Sequence, residues 1–258
     1  MSTHEQDGHV ELERDGHVAL ITMRRPAKRN ALNFPMRQGL RDAFDEFEGD
    51  PDLRCAVLTG EGACFSAGGD LVEMANTKMD VVPAEWNQLL GSGAPLTKPV
   101  VAAVNGPALA GGFRLAQDCD LCVAGEGTTF GITEAKRGRG APWAAPLTAM
   151  VPARIMMELL LTGEPISAQR AHEVGLVNRV VADGEIVAEA LRLAHSIAAN
   201  APLSVAAGKR LVRLAADLGP LAAAEPADWL YLRAYTSEDA QEGPRAFREK
   251  RPPVWQGR

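Results

Sequence analysis

The sequence predicts an α/β fold that ends in an all-helical C-terminal region. In the first part of the chain, short apolar runs of strand length alternate with stretches whose apolar residues recur at helical spacing. After about Asp183 only the helical spacing remains. The 258 residues are 46% hydrophobic, which is enough to bury a sizeable core. Strands separated by helices indicate an α/β architecture, and a helical end suggests a role in assembly.

The first predicted elements are a strand at residues 18–23 and the helix that follows it. Four large apolar residues recur at helical spacing: Met36, Leu40, Phe44 and Phe47. Asn33 is a suitable N-cap for this helix, and Pro35 lies near its start, where proline is tolerated. We therefore expect the helix to begin close to Asn33.

Four more strands are predicted, and two of them end in glycine-rich turns. They span residues 56–59, 99–104, 121–124 and 128–130. The strand at 56–59 leads into 62-GACFSAGGDL-71, and the strand at 99–104 leads into 105-NGPALAGGFRLAQDCD-120. Both stretches run from a strand through a glycine turn into a helix.

The C-terminal region is predicted as four helices. They cover residues 186–199, 202–216, 221–235 and 238–250. Asn200-Ala201-Pro202 interrupts the pattern, and Pro202 lies early in its helix, where its missing N–H costs nothing.

Composition narrows the class of protein. The net charge of −6 argues against a nucleic-acid surface as the main function. The polar start has no apolar run of signal-peptide length, and no segment reaches the roughly 20 apolar residues that span a bilayer. We therefore expect a soluble, cytoplasmic protein. The four cysteines are expected to be reduced and buried, and the lone pair Cys119 and Cys122 does not complete a zinc site, so we expect no metal.

Common catalytic motifs are incomplete. Ser66 lacks the first glycine of a nucleophile elbow, and no P-loop lysine follows Gly111-Gly112. The two glycine turns remain. Each helix start offers free N–H groups, so two such turns brought together would give two donors to one oxygen, an oxyanion hole suited to a thioester enolate. The alternative is that these glycines only make tight turns.

At these residues the chain resembles the crotonase family, the enoyl-CoA hydratases and isomerases. The resemblance covers nearly the whole chain, and its strength lies in the order and spacing of several short motifs. They include Arg25-Pro26, Asn30-Ala31-Leu32, Phe65-Ser66-Ala67-Gly68-Gly69-Asp70-Leu71, Lys98-Pro99, Asn105-Gly106, Gly111-Gly112, Asp118-Cys119-Asp120, Phe130-Gly131-x-x-Glu134, Leu161-Thr162-Gly163, Ala171-x-x-x-Gly175-Leu176-Val177 and Phe247-x-Glu249-Lys250-Arg251.

The resemblance implies a fold and an assembly. The fold would be a crotonase-like ββα spiral core, at residues 1–200, that carries the coenzyme A and oxyanion-hole site. Residues 201–258 would form a C-terminal helical oligomerisation region, giving a homotrimer or a dimer of trimers, a hexamer. Coenzyme A would be part of the substrate, with no other cofactor bound.

The resemblance also assigns roles to single residues. The amides of Gly69 and Gly111 would be the oxyanion donors, and Glu134 the acid/base. Further residues would contact the acyl-CoA: Lys28, Arg29, Ala31, Ala67, Gly68, Asp70, Leu71, Arg114, Trp143, Phe247 and Lys250. Arg25, Lys28 and Arg29 are candidates for the CoA phosphates, although the basic residues are also compatible with a solvated surface. Phe247 and Lys250 would reach a neighbouring subunit's CoA.

One position departs from the two-glutamate hydratases of the family. Arg114 stands where they carry their first glutamate. Arginine stays protonated near neutral pH and cannot act as a base. If Arg114 points into the pocket, it should lower the pKa of Glu134. Otherwise it would bind a carboxylate on the substrate, or turn outward and pair with Asp118 one helical turn away.

The leading hypothesis is an enoyl-CoA hydratase-type enzyme that acts through an oxyanion-stabilised thioester enolate. An alternative is a Δ3,Δ2-enoyl-CoA isomerase that uses Glu134 as its single acid/base, since one carboxylate can carry a proton between two carbons. A CoA-binding protein with weak or lost catalysis is the second alternative. Trp143, in 140-GAPWAAPL-147, is expected to stiffen the wall of the acyl pocket, which leaves the acyl group open.

Overall fold

A computed structural model describes residues 8–81, 83, 88–91 and 95–258. The strands within these ranges are β1 (His9–Asp15), β2 (Val18–Arg24), β3 (Cys55–Gly60), β4 (Val100–Val104), β5 (Ala108–Leu109), β6 (Leu121–Gly125), β7 (Thr129–Gly131), β8 (Ile166–Ser167) and β9 (Arg179–Val181). The α-helices are α1 (Phe34–Gly49), α2 (Leu71–Asn76), α3 (Gly111–Asp118), α4 (Ala153–Thr162), α5 (Ala168–Glu173), α6 (Ile186–Ala198), α7 (Pro202–Leu218), α8 (Pro220–Tyr235) and α9 (Glu238–Glu249). Short 3₁₀ segments lie at Pro26–Lys28, Glu134–Arg137, Pro142–Ala149 and Asp183–Glu185.

The strands form two sheets. The larger has the order β1-β2-β3-β4-β6-β9, and the smaller has the order β5-β7-β8. Among the described strands of the larger sheet, only β1 and β2 pair in antiparallel fashion; the pairs that follow are parallel. Parallel strands place their carboxyl ends at one edge, so the turns that follow β3 and β4 leave the sheet side by side.

Helices cover both faces of the larger sheet. Every residue of β3 and β4 is buried, as expected for parallel strands between two layers. Cys55 and Val57 face the layer of α6, whereas Ala56 and Leu58 face the core that includes α1. This alternation follows the two-residue period of a strand and fixes the register.

The helix predicted after Asn33 is confirmed. The Asn33 side chain accepts a hydrogen bond from the Met36 amide at 3.1 Å, and Pro35 lies in the first turn. The four apolar residues predicted to share one face are completely buried: Met36, Leu40, Phe44 and Phe47. The predicted strands and the four C-terminal helices are also present, with ends that differ by at most two residues.

The sequence interpretation missed the edge strand β1 and the short strands β5, β8 and β9. β1 is largely exposed and charged, so it lacks the apolar run that marks the central strands. β5 and β8 have two residues each, which is too short for a periodic signal. Both belong to the smaller sheet, which carries part of the site described below.

The C-terminal helices are anchored to the core by partly buried charges. Asp120 accepts hydrogen bonds from Lys209 at 2.8 Å and Arg213 at 3.0 Å, which ties α7 to the start of β6. Trp255 donates to the Ala199 carbonyl at 2.8 Å, and Arg54 donates to the Trp255 carbonyl at 3.0 Å. The last residues of the chain therefore fold back on the core.

The four cysteines are free and buried, as predicted. Burial raises the pKa of Cys55 and of Cys122 to about 12, so these thiols stay protonated. Among the described residues, no three or more His, Cys, Asp and Glu side chains are placed to hold a metal ion. None of the described helices is both long and apolar enough to span a membrane.

Candidate active site

The two glycine turns pack directly against each other. Ser66 forms a parallel bridge with Ala108. The Ser66 amide donates to the Pro107 carbonyl at 3.2 Å, and the Leu109 amide donates to the Ser66 carbonyl at 3.0 Å. The expected meeting of the two turns is therefore present, and it is built from backbone hydrogen bonds.

Gly68, Gly69 and Gly111 come together where the turns meet. A Cβ on Gly68 would lie 2.9 Å from the Gly111 nitrogen, and a Cβ on Gly111 would lie 3.6 Å from the Gly69 nitrogen. Gly68 also has a φ of +88°, which a side chain would strain. Glycine is thus required at Gly68, because two backbones approach each other closely there, whereas a Cβ on Gly111 would make only ordinary van der Waals contacts.

The Gly69 amide is directed by its neighbours. Leu32 bridges Gly69 in parallel fashion, with the Leu32 amide donating to the Gly68 carbonyl at 2.8 Å and the Asp70 amide donating to the Leu32 carbonyl at 3.3 Å. These bonds flank Gly69, so its own N–H points away from Leu32. Among the described residues, neither the Gly69 nor the Gly111 amide has a hydrogen-bond acceptor.

The start of α3 is strained in a way that presents its first amides. Ala110 has a φ of +50°, which is rare for a residue with a side chain, and its amide donates to the Gly131 carbonyl at 2.8 Å. A Cβ on Gly112 would lie only 2.2 Å from the Ser66 carbonyl oxygen. The helix begins at Gly111 because the backbone is held on both sides at this point.

Glu134 follows the strand that pairs with this turn. Gly131 of β7 pairs with Leu109 of β5, and Glu134 begins the 3₁₀ segment three residues later. Glu134 Oε1 accepts a hydrogen bond from Trp143 Nε1 at 2.8 Å. Glu134 Oε2 is buried and has no partner among the described residues. One carboxylate oxygen is therefore hydrogen-bonded, and the other is buried without a partner among the described residues.

The pKa of Glu134 is raised, and burial is the main cause. The hydrogen bond from Trp143 and the bond from its own backbone amide act in the opposite direction and lower the pKa. The expectation that Arg114 would lower the pKa of Glu134 from inside the pocket is not realised. A buried carboxyl with a raised pKa is a better general base near neutral pH than an exposed one.

Arg114 pairs with Asp118 on its own helix. The distance between Arg114 Nε and Asp118 Oδ2 is 3.2 Å, one turn along α3. The pairing with Asp118 that the third interpretation gives is therefore present. The Arg114 side chain is only 18% exposed, so the pair is partly buried rather than turned out into solvent.

The three basic candidates before α1 differ in exposure, and Arg25 is the buried one. Arg25 is buried and donates to Asp70 Oδ2 at 2.7 Å and to the Ala31 carbonyl at 3.1 Å. The assignment of Arg25 as a surface contact for CoA phosphates is wrong, because its guanidinium points inward and binds Asp70 and the Ala31 carbonyl. Lys28 and Arg29 are exposed, and the Arg29 carbonyl accepts from the Ala67 amide at 2.9 Å.

Asp70 connects the first turn to α2. Its Oδ1 accepts from the Val72 amide at 3.0 Å and the Glu73 amide at 3.1 Å, which caps the helix. Leu71, the first residue of α2, is half exposed. The Asp70 side chain thus holds the turn, while Ala67 and Leu71 are partly exposed.

A cavity of about 350 Å³ lies beside α2. Leu71, Met74 and Met79 line it together with Arg137 and Arg139. A Cβ on Gly69 would lie 2.5 Å from Met74 Cε, so Met74 lines the cavity and also covers the first turn. Arg139 donates to the Met79 carbonyl at 2.9 Å, which ties the segment after Glu134 to the end of α2.

Phe247 and Lys250 lie far along the chain, at the end of α9. Phe247 is 88% exposed, and Lys250 has a φ of +55° as the C-cap of the helix. Among the described residues, neither forms a hydrogen bond or an ion pair with the glycine turns. Their predicted contact with a neighbouring subunit's CoA stays a prediction.

Two contacts near the site were missed in the sequence. The sequence predicts Trp143 only as a wall of the pocket, yet its indole N–H donates a hydrogen bond to Glu134. Arg37 is buried within the otherwise apolar face of α1, donates to the Leu32 carbonyl at 3.1 Å, and lies 3.5 Å from a Cβ position on Gly69. A charged residue between Met36 and Leu40 was the available signal for Arg37; no local pattern indicates the contact of Trp143.

Known proteins of the same architecture are similar along the whole chain. Residues 13–258 match the family described as enoyl-CoA hydratase/isomerase. The chain is 42% identical to an enoyl-CoA hydratase of Mycobacterium tuberculosis, with 100% of both chains covered. It is 38% identical to a carnitinyl-CoA dehydratase of Salmonella typhi, with 96% of this chain and 98% of the relative covered.

Solved structures agree with these relatives. The crystal structure of an enoyl-CoA hydratase from Mycobacterium tuberculosis has a TM-score of 0.90 and 41% identity, with 97% of this chain and 99% of that chain covered. One from Mycobacterium marinum has a TM-score of 0.89 and 40% identity, with the same coverage. The predicted crotonase-like α/β fold with a helical C-terminal region is thereby confirmed, and the chain belongs to the crotonase family of enoyl-CoA hydratases and isomerases.

Proposed function

We propose that this protein is a hydratase/dehydratase-type enzyme that interconverts a 2-enoyl-CoA and a 3-hydroxyacyl-CoA. The observation that carries the proposal is the meeting of the Gly69 and Gly111 turns, whose amides have no acceptor among the described residues. The names of the relatives, enoyl-CoA hydratase and carnitinyl-CoA dehydratase, support the same reaction class.

The amide pair would bind the thioester carbonyl oxygen. Removing the α-proton of a 3-hydroxyacyl-CoA moves the C–H electron pair toward that oxygen and forms an enolate. Two preorganised N–H groups stabilise the enolate charge more than the neutral carbonyl, which lowers the barrier. Gly69 and Gly111 are only partly buried, so a ligand can reach them.

Glu134 would carry the proton. Its ionised Oε2 takes the α-proton, and the enolate then expels the β-hydroxyl group. The same carboxyl delivers the proton to the departing hydroxide, so that water and a 2-enoyl-CoA are formed and Glu134 returns to its ionised state. Hydration runs through these steps in reverse. One carboxylate is sufficient for this sequence, which fits the presence of Arg114 at the position of the other glutamate.

A Δ3,Δ2-enoyl-CoA isomerase is the second candidate, and it is favoured by Glu134 as the single acid/base of the site, since Arg114 pairs with Asp118. In that reaction Glu134 would remove a proton at the α-carbon of a 3-enoyl-CoA and return it at the γ-carbon. Offering crotonyl-CoA and a 3-enoyl-CoA in parallel separates the two. Hydration of crotonyl-CoA at a rate well above that of isomerisation excludes the isomerase as the main activity.

Several residues are proposed to hold the CoA part of the substrate. Exposed Lys28 and Arg29 lie beside the Ala67 backbone and would meet phosphates, while Phe247 and Lys250 would act on a neighbouring subunit's ligand.

The exposed apolar side chains of α7 and α8 suit a homotrimer or a dimer of trimers: Val212, Leu221, Trp229 and Tyr235. We infer a cytoplasmic enzyme from the free, buried cysteines. Light scattering after size exclusion tests the assembly, and a monomer contradicts it.

Glu134→Gln is the test of the proposed reaction. It keeps the size of the side chain and removes the proton carrier, so turnover should fall by about 10²–10⁴-fold while CoA affinity measured by calorimetry is unchanged. Full activity in this variant contradicts the role of Glu134. Binding of CoA by the wild-type protein without turnover of any acyl-CoA in a broad panel supports instead a binding protein that has lost catalysis.

A further inference from the structure

The two oxygens of the Glu134 carboxylate have different surroundings. Oε1 accepts the indole N–H of Trp143 at 2.8 Å, whereas Oε2 is buried with no partner among the described residues. A carboxylate rotates freely about its last bond unless one oxygen is held. The indole therefore fixes the orientation of the carboxylate and leaves one oxygen for a ligand.

The Trp143 ring is itself held by the helix that begins with Gly111. It packs edge-on against Phe113, with ring centroids 6.0 Å apart and an interplanar angle of 85°. Phe113 is completely buried and packs against Phe130 at 5.6 Å. Edge-to-face aromatic contacts of this kind fix ring orientation. A chain of direct contacts thus runs from the first turn of α3 through Phe113 and Trp143 to Glu134.

We propose that Trp143 is the positioning residue of this site: its N–H holds Glu134 Oε1 so that Oε2 alone faces the α-proton of a thioester bound at the Gly69 and Gly111 amides. The inference rests on the proposed function and deepens it. A side chain first interpreted as a wall of the acyl pocket orients the proton-transferring group.

The same contact acts on the charge state of Glu134. Burial raises the pKa of Glu134, and the hydrogen bond from Trp143 lowers it. Charged side chains on the surrounding elements are engaged elsewhere: Arg114 of α3 pairs with Asp118, Lys136 pairs with Glu164, and Arg139 donates to the Met79 carbonyl. Arg137 of the same 3₁₀ segment donates to the Lys136 carbonyl at 3.4 Å.

The sign of the pH effect follows from the direction of the reaction. Dehydration of a 3-hydroxyacyl-CoA starts with ionised Glu134, so kcat/KM falls as the pH drops through the pKa of Glu134. Trp143→Phe removes the donor but keeps an aromatic ring against Phe113. The pKa of Glu134 should then rise further, and the acid limb of the dehydration profile should move to higher pH.

The experiment compares W143F with W255F in the full-length protein. Trp255 also donates one indole N–H, to the Ala199 carbonyl at 2.8 Å, but outside the site. W143F should lose about 10–100-fold in kcat with KM changed less than about threefold, because the carboxylate is misplaced rather than the substrate released. W255F should keep the wild-type kcat and acid limb. W143H, which keeps a ring N–H, should recover part of the lost kcat and part of the shift in the acid limb.

A double variant separates positioning from packing. Glu134→Asp withdraws the carboxylate from the indole, so W143F should cost much less in the E134D background than in wild type. If W143F does not fold, W143M takes its place in every comparison. An unchanged acid limb, or equal losses in both backgrounds, overturns the inference about Trp143 while the proposed function stands. No turnover of any acyl-CoA by the wild type overturns the proposed function instead.

Discussion

The two halves of the candidate site are built in different ways. The amide half consists of the Gly69 and Gly111 turns, which are locked by backbone hydrogen bonds between Ser66, Pro107 and Leu109. The carboxylate half consists of Glu134, whose orientation depends on a single side-chain bond from Trp143. The amide half should therefore tolerate no added atoms at Gly68 or Gly112, whereas the carboxylate half should respond gradually to changes in its partner.

Breaking the amide half should have the largest effect. A Cβ in Gly68→Ala would lie 2.7 Å from the Leu109 carbonyl oxygen and 2.9 Å from the Gly111 nitrogen. We expect a loss of about 10²–10³-fold in kcat, the usual effect of losing one oxyanion donor, and of about 1–3 kcal/mol in the free energy of unfolding. Steady-state kinetics and denaturant unfolding measure the two.

Gly175→Ala is the matched control for this change. Gly175 has nearly the same φ, +86°, but a Cβ there would meet nothing within 4 Å. It should share the backbone strain and leave kcat unchanged. Equal losses of activity in both variants would mean that strain alone, and not the approach of the two turns, explains the result.

The pH dependence tests the carboxylate half. Because burial raises the pKa of Glu134, ionised Glu134 is lost at a higher pH than an exposed glutamate would be, and dehydration falls with it. The acid limb of kcat/KM for a 3-hydroxyacyl-CoA should therefore lie above the value of about 4.3 that is usual for glutamate. A limb at or below that value contradicts a buried general base.

The smallest effect is expected at Arg114. Its pair with Asp118 is an i,i+4 contact within α3, and pairs of this spacing contribute roughly 0.3–0.5 kcal/mol when they are exposed. Arg114→Gln should change kcat/KM for crotonyl-CoA by less than about threefold. Arg192→Gln serves as the control for losing an arginine ion pair, because exposed Arg192 pairs with Glu189 within another helix, α6. A loss of a hundredfold in R114Q alone would show that Arg114 acts on the substrate.

The same contrast explains what the sequence could predict. The amide half is predictable, because in each of the two glycine turns the strand, the turn and the helix follow one another directly along the chain. The central strands and the capped helix α1 are predictable for the same reason. Their signals are local, since apolar runs, the Asn33 cap and helical spacing are all read within one segment.

The rest of the site depends on contacts between distant segments. Arg25 was misassigned to the surface because its partner Asp70 lies 45 residues away, and no pattern around Arg25 shows that it is buried. Whether Arg114 faces the pocket or Asp118 is a choice of side-chain direction that spacing leaves open. Trp143 finds Glu134 through the packing of two 3₁₀ segments, whose irregular geometry has no periodic signal.

The central claim is that the Gly69 and Gly111 amides bind one oxygen beside Glu134. A crystal structure with a non-reactive acyl-CoA analogue measures this directly. We expect a thioester oxygen about 3 Å from both nitrogens, with the α-carbon next to Glu134 Oε2 and Oε1 still held by Trp143. A thioester oxygen bound away from either amide, or an α-carbon out of reach of Glu134, would contradict it.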